Sequence, residues 1–401
     1  MPSAQRLTLL ALLVSTGLVG CNAPDDSTRA ATHPSAHAAS ATSLASAPPS
    51  SAGPAPTASA GGTASAARPS ASATAAAPPA VAVPEAHCAA AGSSAPARLG
   101  THRYEVWDLA IDPTAVFAAG LKGWDGPPGE IYRVAKDGSG VTNLAKFTSL
   151  GRQGHIAVDG AWIYFSAYVP GKPPGQGSLL RIPREGGATE TIAERFGWLG
   201  GVYGGFAYGV DYDWAGKAES VVRVPTGGGE VQTLLRRDPR HYGYGTGPYR
   251  YNDLAVDQDG VFLADSGDGA IARMSHDGGT PAILATKIIT PHRLRTCGKY
   301  LFFSPNVDDG LVSVPKGGGE VTSTETGDAW AIAPDGDRLI ALGRDRSSLP
   351  AVMVFEDGGP KATRSGLTHI WMTQAVVDRQ CIYYVRADPN SLSYFDAIAK
   401  P

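Results

Sequence analysis

The chain has 401 residues, with 34 Lys and Arg set against 37 Asp and Glu for a net charge of −3. Charged residues make up only 18% of it. So few charges, so nearly balanced, exclude a strongly basic nucleic-acid binder, whose affinity needs clustered Lys and Arg.

Residues 1–20, MPSAQRLTLLALLVSTGLVG, carry one Arg, an apolar run and then small residues. This reads as a secretory signal, too short and wrongly flanked for a spanning helix. The junction Leu18-Val19-Gly20-Cys21 resembles the lipobox of bacterial lipoproteins. That resemblance implies removal of 1–20 and lipidation of Cys21; an ordinary signal cut beside a cysteine is the alternative. Asn22, in place of Asp, implies an outer-membrane address by likeness to lipoprotein sorting. Residues 21–92 are almost all Ala, Ser, Pro, Thr and Gly, a linker that cannot bury enough apolar surface to offset the entropy of ordering. As a coil it spans roughly 45–50 Å. The expected location is therefore outside the cytoplasm, with a head held by lipid and tether to the bacterial cell envelope and no spanning helix elsewhere.

From 93 to 401 the text repeats. LLRIPREGGAT (179–189), VVRVPTGGGEV (221–231) and LVSVPKGGGEV (311–321) are one sentence written three times. Aligned on the last apolar residue before the turn, the copies fall at Val134, Ile182, Val224, Met274, Val314 and Val354, at intervals of 48, 42, 50, 40 and 40 residues. Tyr394 lies a further 40 on. A period in the forties with strand-like text is the signature of propeller blades. Each unit divides into a first strand (DLAID, HIAVD, DLAVD), a tight Asp/Gly turn and a second strand (AVFAA, WIYFSA, YLFFS). A loop, the RVPK-type third strand, a glycine turn and a short fourth strand complete it. First, second and third strands occur seven times but the fourth only six, so a strand near Ala95–His102 is expected to complete the last blade. The predicted fold is all-β, a seven-bladed β-propeller of four-stranded antiparallel blades. Six blades with a degenerate hairpin is the alternative.

The AVD, aromatic second strand and RVP-GG elements resemble those of bacterial exported repeat proteins, distantly similar to YWTD- and NHL-type propellers. The resemblance covers about three quarters of the chain and implies the fold, not an activity. The second-strand aromatic survives but the Thr-Asp pair does not recur, so no receptor function carries over.

Loops between second and third strands are long (120–130, 167–178, 210–220), as are several links between blades (145–155, 235–251, 365–373). In an up-and-down blade both classes lie on one face, which makes that face the candidate recognition surface for a protein, glycan or small molecule. Its expected ligand-binding residues are Trp124, Trp198, Tyr212, Trp214, Tyr244, Tyr249, Trp330, Trp371 and Gln374, aromatic rings with polar tips being suited to contact. The residue before each first-strand apolar pair is Asp108, His155, Trp198, Asp253, Arg293, Ala331 or Gln374, a set expected to ring the channel mouth. Asp108, His155, Asp253 and Arg293 converging there could coordinate a metal or serve a hydrolase or lyase as acid and base; the alternatives are a water-lined channel and a ligand contact.

DSGDGA (265–270) and NVDDG (306–310) are fragments of calcium loops without the closing Glu, so tight turns are expected and no cofactor beyond a stray divalent cation. The recurrent Asp112, Asp159, Asp257, Asp335 and Asp378 read as turn formers. No GxSxG elbow, Walker loop, HExxH or paired CxxC is present. Besides Cys21 the chain has Cys88, Cys297 and Cys381, and a Cys88–Cys381 disulfide would pin the N-terminal strand to the blade it completes.

Overall fold

A computed structural model describes residues 88–89, 96–102, 105–121, 129–147, 149–150, 155–168, 177–213, 218–237, 251–305, 310–324, 326–356, 361–366, 372–387 and 393–401. All fall within the compact unit Pro78–Pro401. Among them the strands form seven antiparallel sheets, which sets aside the six-blade alternative. Blades 1 to 6 occupy 105–147, 156–193, 198–237, 251–285, 292–323 and 326–366, and blade 2 gains a short extra strand, Ser149–Leu150. Blade 7 takes Met372–Val377, Cys381–Ala387 and Ser393–Ala399 from the end of the chain and Ala97–His102 from its beginning. No helix among the described residues is long and apolar enough to cross a membrane.

The first strands stand innermost. Each packs against the first strand of the next blade, and Met372–Val377 returns to Glu105–Ile111, closing the ring. There is no single core. Seven apolar clusters fill the seven gaps between blades, each drawing on two neighbours. This is why the second strands read as nearly continuous apolar runs: Phe117, Phe165, Phe262 and Phe302 are fully buried in sheets covered on both faces.

The repeated sentence has a backbone cause. In blades 2, 3 and 5 the amides of Gly186, Gly228 and Gly318 donate to the carbonyls of Pro183, Pro225 and Pro315, each at 2.8 Å. Gly228 has φ 88°, a left-handed conformation that a side chain disfavours, so the turn demands glycine.

The recurrent aspartates do more than form turns. Asp112 Oδ1 accepts the amides of Thr114 (2.6 Å) and Ala115 (2.7 Å), while its Oδ2 faces Arg184 of blade 2 at 3.3 Å. The pattern recurs where Lys316 of blade 5 meets Asp257 of blade 4 (2.5 Å) and Lys400 of blade 7 meets Asp335 of blade 6 (2.9 Å). Lys136 of blade 1 meets Asp378 of blade 7 at 2.7 Å. The cation always follows the third strand directly. A belt of ion pairs thus ties blade to blade at the end opposite the channel mouth, and Lys136–Asp378 carries it across the closure. Lys136 is 1% exposed, and its ammonium, with backbone amides, holds the Asp378 carboxyl below the usual range although burial opposes this. In blade 3 the same position is Thr226, whose hydroxyl donates to the carbonyl of Gly205 at 3.2 Å instead.

Three devices fasten the strand that joins the two ends of the chain. Asp396, fully buried, accepts Arg98 Nε at 2.6 Å and Arg386 Nε at 3.1 Å. The same two guanidiniums stack on the Tyr394 ring, 4.1 and 4.7 Å from its centre. Cys88 and Cys381 form a disulfide across 293 residues of sequence, and Ala89 exchanges backbone hydrogen bonds with Ala397 and Ala399.

Candidate functional site

Asp108 and Asp253 hold equivalent places in the first strands of blades 1 and 4, and each reaches into the following blade. Asp108 Oδ2 accepts the amide of Ile156 at 3.0 Å, and Asp253 Oδ2 accepts that of Leu294 at 2.8 Å. His155 lies between them, Nδ1 at 3.1 Å from Asp108 Oδ2 and Nε2 at 3.9 Å from Asp253 Oδ1. Arg295 Nη1 stands 3.5 Å from Asp253 Oδ2. A charged chain, Asp108–His155–Asp253–Arg295, therefore crosses the channel. Burial pulls the His155 imidazole down most strongly, but the two carboxylates together outweigh it and raise its pKa, favouring the imidazolium.

The chain divides the channel. On one side is a cavity of about 260 Å³ lined by Asp108, Gly200, Gly201, Val256 and Thr296. On the other, at the end where the links between blades enter, a mouth of about 220 Å³ is lined by Trp107, Asn252, His292, Arg293, Trp330 and Gln374. His155 and Arg295 border both. Bulges aim the mouth side chains inward: strand register slips at Val106/Asp108, Tyr251/Asp253, Ala329/Ala331 and Met372/Gln374. In the first of these Trp107 is the extra residue, in the second Asn252, and in the third Trp330.

Blade 5 departs furthest from the repeat. Its register slips between His292 and Arg295, and Arg293 sits at φ 56°, an uncommon conformation for a residue with a side chain. The Arg293 guanidinium donates to the carbonyl of Ala329 in blade 6. Arg293 borders the mouth together with His155 and Asp253, but the slip brings Arg295, not Arg293, to the Asp253 carboxylate. Each of the two carboxylates also accepts a backbone amide of the next blade. Among the described residues no group of three or more His, Cys, Asp or Glu is disposed to hold a metal ion.

Two rings expected on a recognition surface are interior. Trp198 is 3% exposed, packed between blades 3 and 4 with its ring 6.1 Å from that of His155, and Tyr212 is also buried. The strand bearing Trp198 bulges deeper, at Leu199/Gly201, so Trp198 turns into the core. Trp330 and Gln374 do line the mouth. Trp124, Trp214, Tyr244, Tyr249, Trp371 and Cys21 lie outside the described residues. Trp107, Asn252, His292 and Arg295 complete the site and were not singled out in the sequence; for the first three the signal was a polar or aromatic residue one place before the aligned position, whereas Arg295 lies two places after it. In DSGDGA, Asp265 Oδ1 accepts the amide of Asp268 at 3.0 Å, the geometry of a turn.

No family model matches the chain, and no curated protein matches it. Solved structures do. An oligogalacturonate lyase in complex with manganese superposes with a TM-score of 0.52 at 14% identity, over 79% of this chain and 96% of that one. The WD40 β-propeller domain of Doa1 gives 0.48 at 13% identity, over 77% and 96%. BamB from Moraxella catarrhalis gives 0.40 at 11%, over 75% and 99%. Likeness at this identity shows a shared β-propeller fold and leaves activity to the site itself.

Proposed function

We propose that the protein is an exported, lipid-anchored binding module of the bacterial cell envelope, which takes its ligand on the loop-rich face at the mouth of the central channel. The observation that carries this is the division of labour among the polar groups there. Asp108 and Asp253 are occupied by backbone amides, whereas Trp107, Asn252, Trp330 and Gln374 are partly exposed around a 220 Å³ space. Indoles and amides recognise; they do not transfer protons. The Cys88–Cys381 disulfide suits an oxidising compartment and so supports export, and the text around Cys21 supports the anchor.

The test has two arms. Cys21→Ala should abolish incorporation of labelled fatty acid and release the protein from the membrane fraction; retention of label would remove the anchor. Trp107→Ala with Trp330→Ala should abolish cross-linking of envelope components to the purified protein, while Ile283→Ala, an exposed site on blade 4, should not. Equal cross-linking by both variants would move the site off the channel mouth.

A further inference from the structure

Away from the channel, a recess of about 380 Å³ opens between blades 2 and 3. One wall is the link that leaves blade 2, carrying Glu194 and Arg195. The other is a face of blade 3, where Asp211, Ser220 and Arg236 stand side by side on three neighbouring strands. Val222 and Val231 also line it, and both belong to the apolar cluster between the two blades. Arg236 Nη2 lies 3.3 Å from Asp213 Oδ2 at the same recess.

Asp211 is a residue the repeat does not explain. At the corresponding register of the second strand, blades 1 and 2 carry Gly120 and Ala167, and blade 4 carries Asp265. Asp265 serves a turn, its Oδ1 accepting the amide of Asp268. Asp211 is 9% exposed, and its Oδ1 is buried and accepts no hydrogen bond. Its Oδ2 lies 3.5 Å from Arg195 Nη2, on a side chain 63% exposed, a loose contact that water screens. Burial raises the pKa of the carboxyl, and Arg195 and the Tyr212 amide offset only part of that rise. A buried carboxylate oxygen without a donor is costly, and a ligand that supplied one would remove the cost.

We propose that this recess is a second binding site, for a primary alkylammonium group, with the nitrogen at the Asp211 carboxylate and the alkyl chain against Val222 and Val231. The terminal torsion of an aspartate is broad and two-fold, so rotation turns Oδ1 towards the recess. Ammonium fits better than guanidinium. A guanidinium fork takes both carboxylate oxygens, and Arg195 stands at one of them, whereas an ammonium is a compact charge that one oxygen holds. Ser220 adds a hydroxyl able to accept. A metal ion fits less well, since among the described residues no three acidic, imidazole or thiol groups are disposed to hold one. The volume falls within the roughly 300–1,000 Å³ of small-molecule sites. The same group is carried by free amines and by lysine side chains.

The probes are n-butylamine, Nα-acetyl-lysine amide and 1-butanol, titrated into the full chain at neutral pH and followed by calorimetry and ligand-observed NMR. Butylammonium should bind and weaken as salt rises, and 1-butanol should bind at least about tenfold more weakly. Acetyl-lysine amide binding as well as butylammonium would point to lysine side chains as the source, and its failure to free amines; both results keep the alkylammonium assignment. Asp211→Asn keeps the shape without the charge and should weaken butylammonium at least about tenfold. Its melting temperature should hold or rise, whereas loss of a carboxylate that served only to fix Arg195 would lower it. Arg195→Ala removes the competing cation and should tighten butylammonium several-fold. Trp107→Ala with Trp330→Ala should leave it unchanged, which separates this site from the channel mouth. Absence of saturable butylammonium binding, equal binding of 1-butanol, or binding indifferent to Asp211→Asn would overturn the proposal.

Discussion

Opening the Cys88–Cys381 disulfide should be among the most damaging changes at the closure of the ring, where Cys381 also belongs to the apolar cluster between blades 7 and 1. The bond closes a loop of 293 residues. The chain-entropy relation for a loop of that size gives about 5–6 kcal/mol of constraint on the unfolded chain. Residual order in the denatured state reduces what is realised, so a loss of about 2–4 kcal/mol is expected. The loss should also be local. Ala97–His102 would still hold its ladder to Ser393–Ala399 and the Arg98–Asp396 pair, but without its covalent stop. Cys88→Ser with Cys381→Ser, and the wild type under reductant, should both show a lower urea midpoint. Both should also exchange the amides of 100–102 faster than those of the Trp162–Tyr168 strand in blade 2. The free thiol cannot rescue the bond by exchange, since Cys297 is buried and its pKa is pushed up to about 12, leaving almost no thiolate at neutral pH. An unchanged midpoint, or exchange that rises equally in blades 2 and 7, would refute this account of closure.

The belt and the channel give further expectations. Lys136→Ala strands Asp378 beside the closure and should cost about 2–3 kcal/mol in chemical unfolding, less than a fully buried pair because Asp378 is a quarter exposed. The Asp378 carboxyl is held low, so the stability it contributes is present above its unfolded pKa and lost as pH falls through the folded value; Lys136→Ala should unfold at a higher pH on acid titration. His155 runs the other way. Its pKa is raised above 6.5, so its contribution is complete below that value and lost as pH rises through the folded one. Melting temperatures of the wild type should decline over that window and those of His155→Gln should not, with the imidazole titration followed by NMR. A flat wild-type profile would remove the charged chain from the energetics.

How much of this was legible in the sequence depended on whether a residue served the repeat or departed from it. The blade count and the N-terminal closing strand followed from strand tallies, because seven gaps filled by seven similar clusters impose the same apolar and turn residues each time. The ion-pair belt was half visible. Asp112, Asp257, Asp335 and Asp378 were read as turn formers; each also meets a Lys or Arg of a neighbouring blade, 59–72 residues away in sequence or, for Lys136, 242 away. Periodicity aligns residues within units and does not say which positions of adjacent units meet.

The channel shows why the same limit is strict for function. One aligned position holds Asp108 and Asp253, which latch to the next blade, Trp198, which is core, and Gln374, which faces the mouth. Strands with identical spacing carry these different roles because bulges move the register by a residue or more, and a slip of one residue turns a side chain from one face to the other. Thus Trp107 and Trp330 reach the mouth from positions beside the aligned one, and Arg295 takes the place that spacing gave to Arg293. Bulges cost ladder hydrogen bonds, and six of the seven first strands carry one. The blade that lacks one, blade 2, supplies His155 from just before its strand. An inner wall that departs so consistently from regular pairing sets which side chains face the channel, and that is the physical ground for seeking the ligand there.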